Sequence, residues 1–212
     1  MNTRKTNWRF WLSLAIMVLL VPLAVVLFTR LRQSFYLSGL TIIVLTIAAF
    51  FLHFESRKPQ ARELVLLAVL CALAVASRAA FGFVPHFKPM LAIVMLTGIA
   101  FGPEAGFLCG AISGFASNFI FGQGPWTPWQ MFAMGIIGLL AGVLYRRGLL
   151  RRSRGSLCIF GAIVSVVIYG GIMNPASAIM WTGTLDGKTL LTYYLTGVPV
   201  DLVRGAATAL FL

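Results

Sequence analysis

The chain has 212 residues, of which 59% are hydrophobic and 10% are charged, and its formal net charge is +12. Soluble domains carry about 25% charged residues, so the composition excludes a water-soluble globular protein and requires lipid around much of the surface. The cations fall in short loops between apolar runs, and no basic patch with interleaved aromatic residues lies outside those loops, which argues against nucleic-acid binding.

Apolar runs long enough to form membrane-spanning helices recur along the chain, and they predict an all-α polytopic bundle of about eight spans. In chain order the runs cover residues 10–29, 35–54, 63–83, 89–102, 105–121, 128–145, 156–180 and 190–212. The first run is longer than the apolar region of a cleaved signal peptide, so we expect it to be retained. The fourth run is short and is expected to tilt or to be partly re-entrant. The last run is still apolar at Leu212, so we expect the protein to continue beyond it.

The Lys and Arg residues divide unevenly between the two sides of the predicted bundle. With the N-terminus in the cytoplasm, eleven of them fall in inside segments, four in outside segments and two within spans. Cytoplasmic loops of membrane proteins are enriched in Lys and Arg. The distribution therefore predicts a multi-pass membrane protein with both termini cytoplasmic.

Composition also divides the chain into two parts. Residues 1–56 contain two simple apolar runs with few glycines, whereas Gly, Ala and Ser become frequent from residue 61 onward. We predict an accessory N-terminal transmembrane hairpin over residues 1–56 and a six-helix functional core over residues 61–212.

Side chains for catalysis or metal binding are scarce. The chain has five acids and two histidines, and His53 and His86 lie at opposite predicted faces of the membrane. No HExxH, GxSxG or P-loop motif occurs, and Ser113 and Ser117 have no histidine at their depth to act as a base. The three cysteines lie singly in apolar runs, as small buried hydrophobic residues do. We therefore expect neither an enzyme nor a bound cofactor or metal.

An alanine ladder marks the third apolar run. Ala68, Ala72 and Ala76 recur every four residues and share one helix face. Small side chains on one face let another helix approach closely. The ladder indicates either packing within the chain's own bundle or docking on a separate membrane protein, and the sequence leaves both open.

The segment from residue 113 to residue 130 carries the pattern of a ligand site. Asn118, Gln123 and Gln130 offer neutral hydrogen-bonding groups, and Trp126 and Trp129 offer flat apolar walls. Ligand pockets are lined mostly by apolar and aromatic side chains with a few placed polar groups. An aromatic belt at the membrane interface would explain the tryptophans but would explain the amides less well. We therefore predict a binding site here.

Further candidates fall on the same predicted outer face. Phe83, His86 and Lys88 lie between the third and fourth runs, and Asn174 and Trp181 lie near the seventh and eighth. Each residue alone is more often a belt or loop residue. Their convergence on one face adds them to the predicted substrate-binding site.

Three charged residues, Arg78, Asp201 and Arg204, fall within apolar spans. An unpaired charge at the bilayer centre costs at least about 2.5 kcal/mol. Asp201 and Arg204 are three positions apart and can pair on one helix face, whereas Arg78 then needs a pocket, water or another acid. The pattern indicates either a structural ion pair or a role in coupling or binding.

Residues 61–212 resemble the membrane substrate-binding subunit, or S component, of energy-coupling factor (ECF) vitamin transporters. The resemblance rests on the alanine ladder, on six core spans with both ends inside, on the sequence GQGPWTPWQ at 122–130 and on VPVD at 198–201. Residues 1–56 have no counterpart in that six-helix pattern.

The resemblance implies that the chain binds a vitamin in an outward-facing pocket in a prokaryotic plasma membrane and has no ATP site of its own. It implies docking through the alanine ladder on a transmembrane coupling subunit, which two cytoplasmic ATPases drive, and toppling in the membrane to release the cargo. The 122–130 loop looks most like that of cobalamin-type subunits, so cobalamin is the expected substrate. Riboflavin, pyridoxine, a thiamine precursor, folate or a queuosine precursor are the alternatives, as are a membrane scaffold without a ligand and an unrecognised intramembrane enzyme.

Overall fold

A computed structural model of the chain describes residues 60–183 and 186–212, together with the isolated positions 23, 41 and 45. The chain divides into two compact units, Met1–Leu64 and Val65–Leu212. The predicted spans 10–29 and 35–54, and with them the N-terminal hairpin, lie outside the described residues.

Six helices lie within residues 60–183 and 186–212. They are α1 (Ala61–Ala80), α2 (Met90–Phe101), α3 (Pro103–Phe121), α4 (Thr127–Arg146), α5 (Arg154–Thr182) and α6 (Gly187–Leu210). Helix α5 changes to a π-helical stretch at Ser165–Gly170. No strand occurs in these ranges, so the prediction of an all-α protein is confirmed for them.

Helix length limits how many of these elements can cross a bilayer. Within the described residues, α1, α3, α4 and α5 are long and apolar enough to span. Helix α2 has 12 residues, which at 1.5 Å per residue is about 18 Å, well short of a hydrocarbon core of about 30 Å. The expectation of a short element at 89–102 therefore agrees with the structure, while the total of eight spans extends into residues that the structure does not describe.

Local capping signals set the helix ends. Pro103 occupies the first turn of α3, where its missing N–H costs no hydrogen bond. The side chains of Ser153 and Asp186 accept hydrogen bonds from backbone N–H groups in the first turns of α5 and α6. Gly183 ends α5 in the left-handed conformation, with φ of 68°. The chain thus turns where its polar and glycine residues permit it to turn.

Glycines bring α2, α3 and α4 into backbone contact. A Cβ atom added to Gly98 would lie 2.1 Å from the carbonyl oxygen of Gly138, and one added to Gly106 would lie 2.4 Å from the same oxygen. A Cβ added to Gly142 would lie 2.6 Å from the carbonyl oxygen of Gly98. Such close approach is typical of small residues at membrane helix interfaces. The three helices form the densest part of the core, around Met95, Cys109 and Ile137.

Helix α6 packs along α5 in the antiparallel direction. The Ser165 hydroxyl donates to the Thr208 hydroxyl at 3.2 Å, and the Cys158 thiol donates to the carbonyl of Ala209 at 3.1 Å. At the end of α6, the ring of Phe211 contacts the rings of Phe81 and Phe87 in the α1–α2 connection. This contact differs from the predicted topology, in which that connection and the end of α6 lie on opposite faces. The ring of Phe211 packs edge-on against the other two, although it remains 41% exposed.

Candidate functional site

A cavity of about 280 Å³ lies in the Val65–Leu212 unit, between the α1–α2 connection and helices α1 to α6. Its apolar lining includes Met90, Leu91, Phe121, Met134 and Tyr169. Ligand pockets span roughly 300–1,000 Å³ and are lined mainly by apolar and aromatic side chains. The cavity therefore has the lining of a small-molecule site and a volume at the low end of that range.

The polar lining of the cavity combines predicted site residues with two of the predicted intramembrane charges. His86, Lys88 and Gln130 contribute from the first group, and Arg78 and Arg204 contribute from the second. Two groups of residues that the sequence treated separately, as a ligand site and as charges in need of partners, thus meet in one cavity.

Arg78 is held by neutral acceptors on α3. Its Nη1 atom donates to Ser117 Oγ at 2.5 Å and to Asn118 Oδ1 at 2.8 Å, and its Cζ atom lies 4.7 Å from the ring centroid of Phe121. The sequence predicted a pocket, water or an acid as the partner of Arg78. The structure supplies a hydroxyl, an amide and an aromatic face, with the cavity beside them.

Asn118 is fully buried and connects Arg78 to α4. Its Nδ2 atom donates to Gln130 Oε1 at 2.8 Å and to Thr127 Oγ1 at 3.1 Å. A buried amide that uses both its acceptor and its donors fixes the orientation of every partner. Asn118 therefore lies behind the cavity wall and positions Arg78 and Gln130, which line it.

Asp201 and Arg204 form an ion pair on α6. The second carboxylate oxygen of Asp201 accepts a hydrogen bond from Asn174 Nδ2 at 3.1 Å, and the Arg204 guanidinium lies 4.0 Å from the ring centroid of Tyr169. Asp201 is only 3% exposed, so its carboxylate is shielded from water, whereas Arg204 is partly exposed at the cavity. These contacts hold the Arg204 side chain at the cavity wall.

Lys88 organises the α1–α2 connection. Its ammonium group donates to the backbone carbonyls of Phe81, Gly82 and Val84, the last two at 3.1 and 3.0 Å. An ammonium group has three donors, and these three bonds use all of them. Partial burial and then the charge of Arg78 lower the pKa of Lys88.

His86 faces the cavity from the same connection and has a positive φ of 59°. Partial burial lowers its pKa, and the nearby charges of Arg204 and Lys88 lower it further, while Asp201 opposes them. Because the ordinary pKa of histidine is about 6.5, His86 is neutral at pH 7.

The other predicted substrate-binding residues do not line the cavity. Phe83 and Trp181 are 89% and 73% exposed. Gln123 is exposed; its amide donates to the Phe115 carbonyl on α3 and accepts a hydrogen bond from Thr127 at the start of α4. Trp126 is half-buried against Gly124, and Trp129 is buried within α4. Asn118 and Asn174 also lie outside the lining, where they bond to Arg78 and Asp201. Leu91, Met134 and Tyr169 line the cavity but were not predicted as site residues, because in the sequence they look like ordinary apolar residues of a span.

The alanine ladder lies on the outer face of α1. Ala68, Ala72 and Ala76 are all exposed, whereas Cys71 and Ala74 are buried against the rest of the unit. The ladder therefore does not pack against the described helices. An exposed face of small residues lets a partner helix approach closely.

In the described ranges, no three His, Cys, Asp or Glu side chains lie close enough together to hold a metal ion. Cys71 and Cys109 are buried free thiols, and Cys158 is partly buried.

Comparison with known proteins places most of the chain in one family. Residues 58–211 match the family described as ECF-type riboflavin transporter, S component. A UPF0397 protein of Vibrio atlanticus (strain LGP32) is 29% identical over 126 residues, which cover 56% of this chain and 68% of that protein. No solved structure matches the chain significantly. All the residues that line the cavity fall within the matched range.

Proposed function

The chain belongs to the family of ECF-type riboflavin transporter S components, and on that premise we propose that its cavity binds a vitamin-type solute for uptake across the plasma membrane. The family consists of transporter components rather than enzymes. The apolar helices of the chain are those of a multi-pass membrane protein. The observation that carries the proposal is a partly polar cavity whose lining residues all lie within the family-matched range.

The size of the cavity favours a vitamin of moderate size. A volume of about 280 Å³ suits a compact ring system, and a corrinoid is much larger. The expectation of cobalamin gains no support from this volume, and the family description names riboflavin instead. We therefore rank vitamins with a compact ring system above cobalamin, with the ring packing on Met90, Met134 and Tyr169.

Two observations support the proposed partners: the family of the chain and the exposed alanine face of α1. An S component works with an energy-coupling module, which we propose consists here of a transmembrane coupling subunit and two cytoplasmic ATPases. The exposed Ala68, Ala72 and Ala76 support docking on the coupling subunit through α1. The uneven distribution of Lys and Arg supports a cytoplasmic location for the segments that carry most of them. Release of the solute by toppling remains part of this proposal.

A binding titration tests the proposal. The full chain is purified in detergent and titrated with vitamins, and binding is followed by tryptophan fluorescence and calorimetry. We expect sub-micromolar binding of at least one vitamin, since S components are the substrate-binding subunits of their transporters. Met134→Trp, which fills the cavity, should abolish that binding, while Phe119→Ala, at an exposed aromatic outside the cavity, should not change it. Absence of binding to every vitamin would overturn the proposal.

A further inference from the structure

The cavity carries more positive charge than its protein neighbours neutralise. Arg78, Lys88 and Arg204 all line it. In the described part of the chain, the one carboxylate paired with any of them is Asp201, which binds Arg204. Three cations against one carboxylate leave an excess of two positive charges. Excess charge at membrane depth is costly unless water or a ligand compensates it.

We propose that the cavity selects a solute that carries a carboxylate or phosphate group, and that the guanidinium groups of Arg78 and Arg204 bind this group. This inference rests on the proposed function of the cavity as the solute-binding site and specifies the chemical class of the solute. The apolar part of the solute would pack on Met90, Leu91 and Met134, which line the same cavity.

Both guanidinium groups retain donors for such an anion. Arg78 and Arg204 each use Nη1 for protein acceptors, namely Ser117 and Asn118 in the first case and Asp201 in the second. Among the described residues, the Nε and Nη2 atoms of both arginines have no hydrogen-bond partner. A guanidinium presents its donors in a fixed fork that matches carboxylate and phosphate oxygens. Each arginine can therefore bind a protein group and a ligand oxygen at once.

Lys88 plays a different part. Its three donors are used by the carbonyl groups of Phe81, Gly82 and Val84, so it cannot donate to a ligand without breaking the loop. It contributes positive charge at the cavity wall, and through the loop it fixes the position of His86. The direct contacts to the anion thus fall to the two arginines.

Protein contacts also hold both arginines in place before a ligand arrives. Phe121 lies against the Arg78 guanidinium, and Tyr169 lies against that of Arg204. Immobilising a long side chain on binding is unfavourable, and here contacts within the protein have already ordered both arginines. A preorganised, partly desolvated pair of cations favours an anion over a neutral solute of the same shape.

Matched pairs of acid and neutral compounds test the inference. The full chain in detergent is titrated by calorimetry, at fixed ionic strength, with nicotinate and nicotinamide, pantothenate and pantothenol, and flavin mononucleotide and riboflavin. Hydrogen bonds to charged groups contribute about 1.5–3 kcal/mol, so in at least one pair we expect the acid to bind about tenfold or more tightly than its neutral partner.

Variants separate charge recognition from a loss of folding. Arg78→Gln should reduce the preference for the acid over its neutral partner several-fold, because only Arg204 then remains to bind the anion, while Arg78→Lys, which keeps the charge, should retain a clear preference for the acid. Lys188→Gln removes the same charge from an exposed site that does not line the cavity, and it should leave both affinities unchanged. Thermal unfolding of each variant reports whether it is folded.

The outcomes distinguish this inference from the proposed function. Equal binding of acid and neutral partner in every pair that binds would overturn the anion inference and leave solute binding intact. Tighter binding of the neutral partner would do the same. No binding of any of the six compounds would overturn the anion inference and weigh against the proposed function as well.

Discussion

Asn118 Oδ1 accepts a hydrogen bond from Arg78 Nη1 at 2.8 Å, and this contact joins α3 to α1 at the cavity wall. The same amide donates to Gln130 on α4, so one buried residue holds three helices in register. A cation inside a membrane protein is therefore held by an amide network rather than by an acid. Several measurements can show how far stability and binding depend on this arrangement.

Replacing Asn118 by Ala should destabilise the protein. The change leaves Gln130 and Arg78 without their partner in a buried network, and a lost partner of this kind costs about 1–3 kcal/mol. Thermal unfolding in detergent measures the effect. Gln123→Ala removes an amide of the exposed loop and should cost less. Equal unfolding temperatures for wild type and Asn118→Ala would show that the network carries no stability.

Replacing Asp201 by Asn should leave Arg204 without a carboxylate. Removing one partner of a buried ion pair costs about 3–5 kcal/mol, so we expect a clear fall in the unfolding temperature. Combining the change with Arg204→Gln gives a double-mutant cycle, in which we expect a coupling energy of about 0.5–3 kcal/mol. Strict additivity of the two single changes would rule out an energetic role for the pair.

Ala72→Trp should block assembly with the coupling subunit without unfolding the protein. Ala72 is exposed on α1, so a larger side chain meets no neighbour within the described helices but would prevent close helix approach. Co-purification with the coupling subunit measures the effect. Leu66→Trp lies about a third of a turn around the same helix and serves as the control. If both variants assemble like wild type, the ladder is not the docking face.

Gly138→Ala should destabilise the core strongly. The new Cβ would lie 2.2 Å from the carbonyl oxygen of Gly106, and overpacking costs about 1–3 kcal/mol or more. Gly155→Ala is the matched control, because nothing lies within 4 Å of its added Cβ. It should be neutral or stabilising by up to about 1 kcal/mol, since alanine is the better helix former. Similar unfolding temperatures for the two variants would contradict the backbone contact.

Binding of an anion should be linked to proton uptake by His86. The charged groups around His86 are Lys88 on its own loop, Arg78 on α1, and Arg204 and Asp201 on α6. Burial and the cations lower its pKa, so the residue is neutral at pH 7.5, and an added negative charge would raise the pKa again. Affinity should then increase as the pH falls from about 7.5 to about 5.5, by about tenfold for each unit of rise in pKa.

Calorimetry over this pH range, with an acid whose own pKa lies below about 5, measures the linkage. His86→Asn is the suitable variant, since asparagine tolerates the positive φ of this position. We expect its affinity to vary less with pH than that of wild type. An identical pH dependence in the two proteins would assign the proton to another group.

The sequence was sufficient to locate the helices but not to distinguish their faces. The runs 63–83, 105–121 and 128–145 correspond to α1, α3 and α4 within a few residues, because proline and glycine mark their ends. In a bilayer, however, lipid-facing and core-facing positions are equally apolar. Leu91 and Met134 on the cavity wall therefore look the same in sequence as residues that face lipid.

For the polar residues too, the sequence alone does not show which residues are in contact. The sequence predicts Asn118 as a substrate-binding residue, but its role as a buried connector depends on the contact with Arg78, forty positions away in the chain. The exposed positions of Phe83 and Trp181 likewise depend on how the loops fold back, which no local pattern encodes. The ion pair of Asp201 and Arg204 could be predicted from the sequence because its partners are three residues apart on one helix.

The glycine contacts among α2, α3 and α4 bear on how a solute could enter and leave. Backbones that touch at Gly98, Gly106 and Gly138 have no space in which to slide or tilt against one another. We expect these three helices to move as a single rigid scaffold throughout a transport cycle. We expect any movement that opens the cavity further to involve α1, its following loop and the α5–α6 pair, which together carry both arginines.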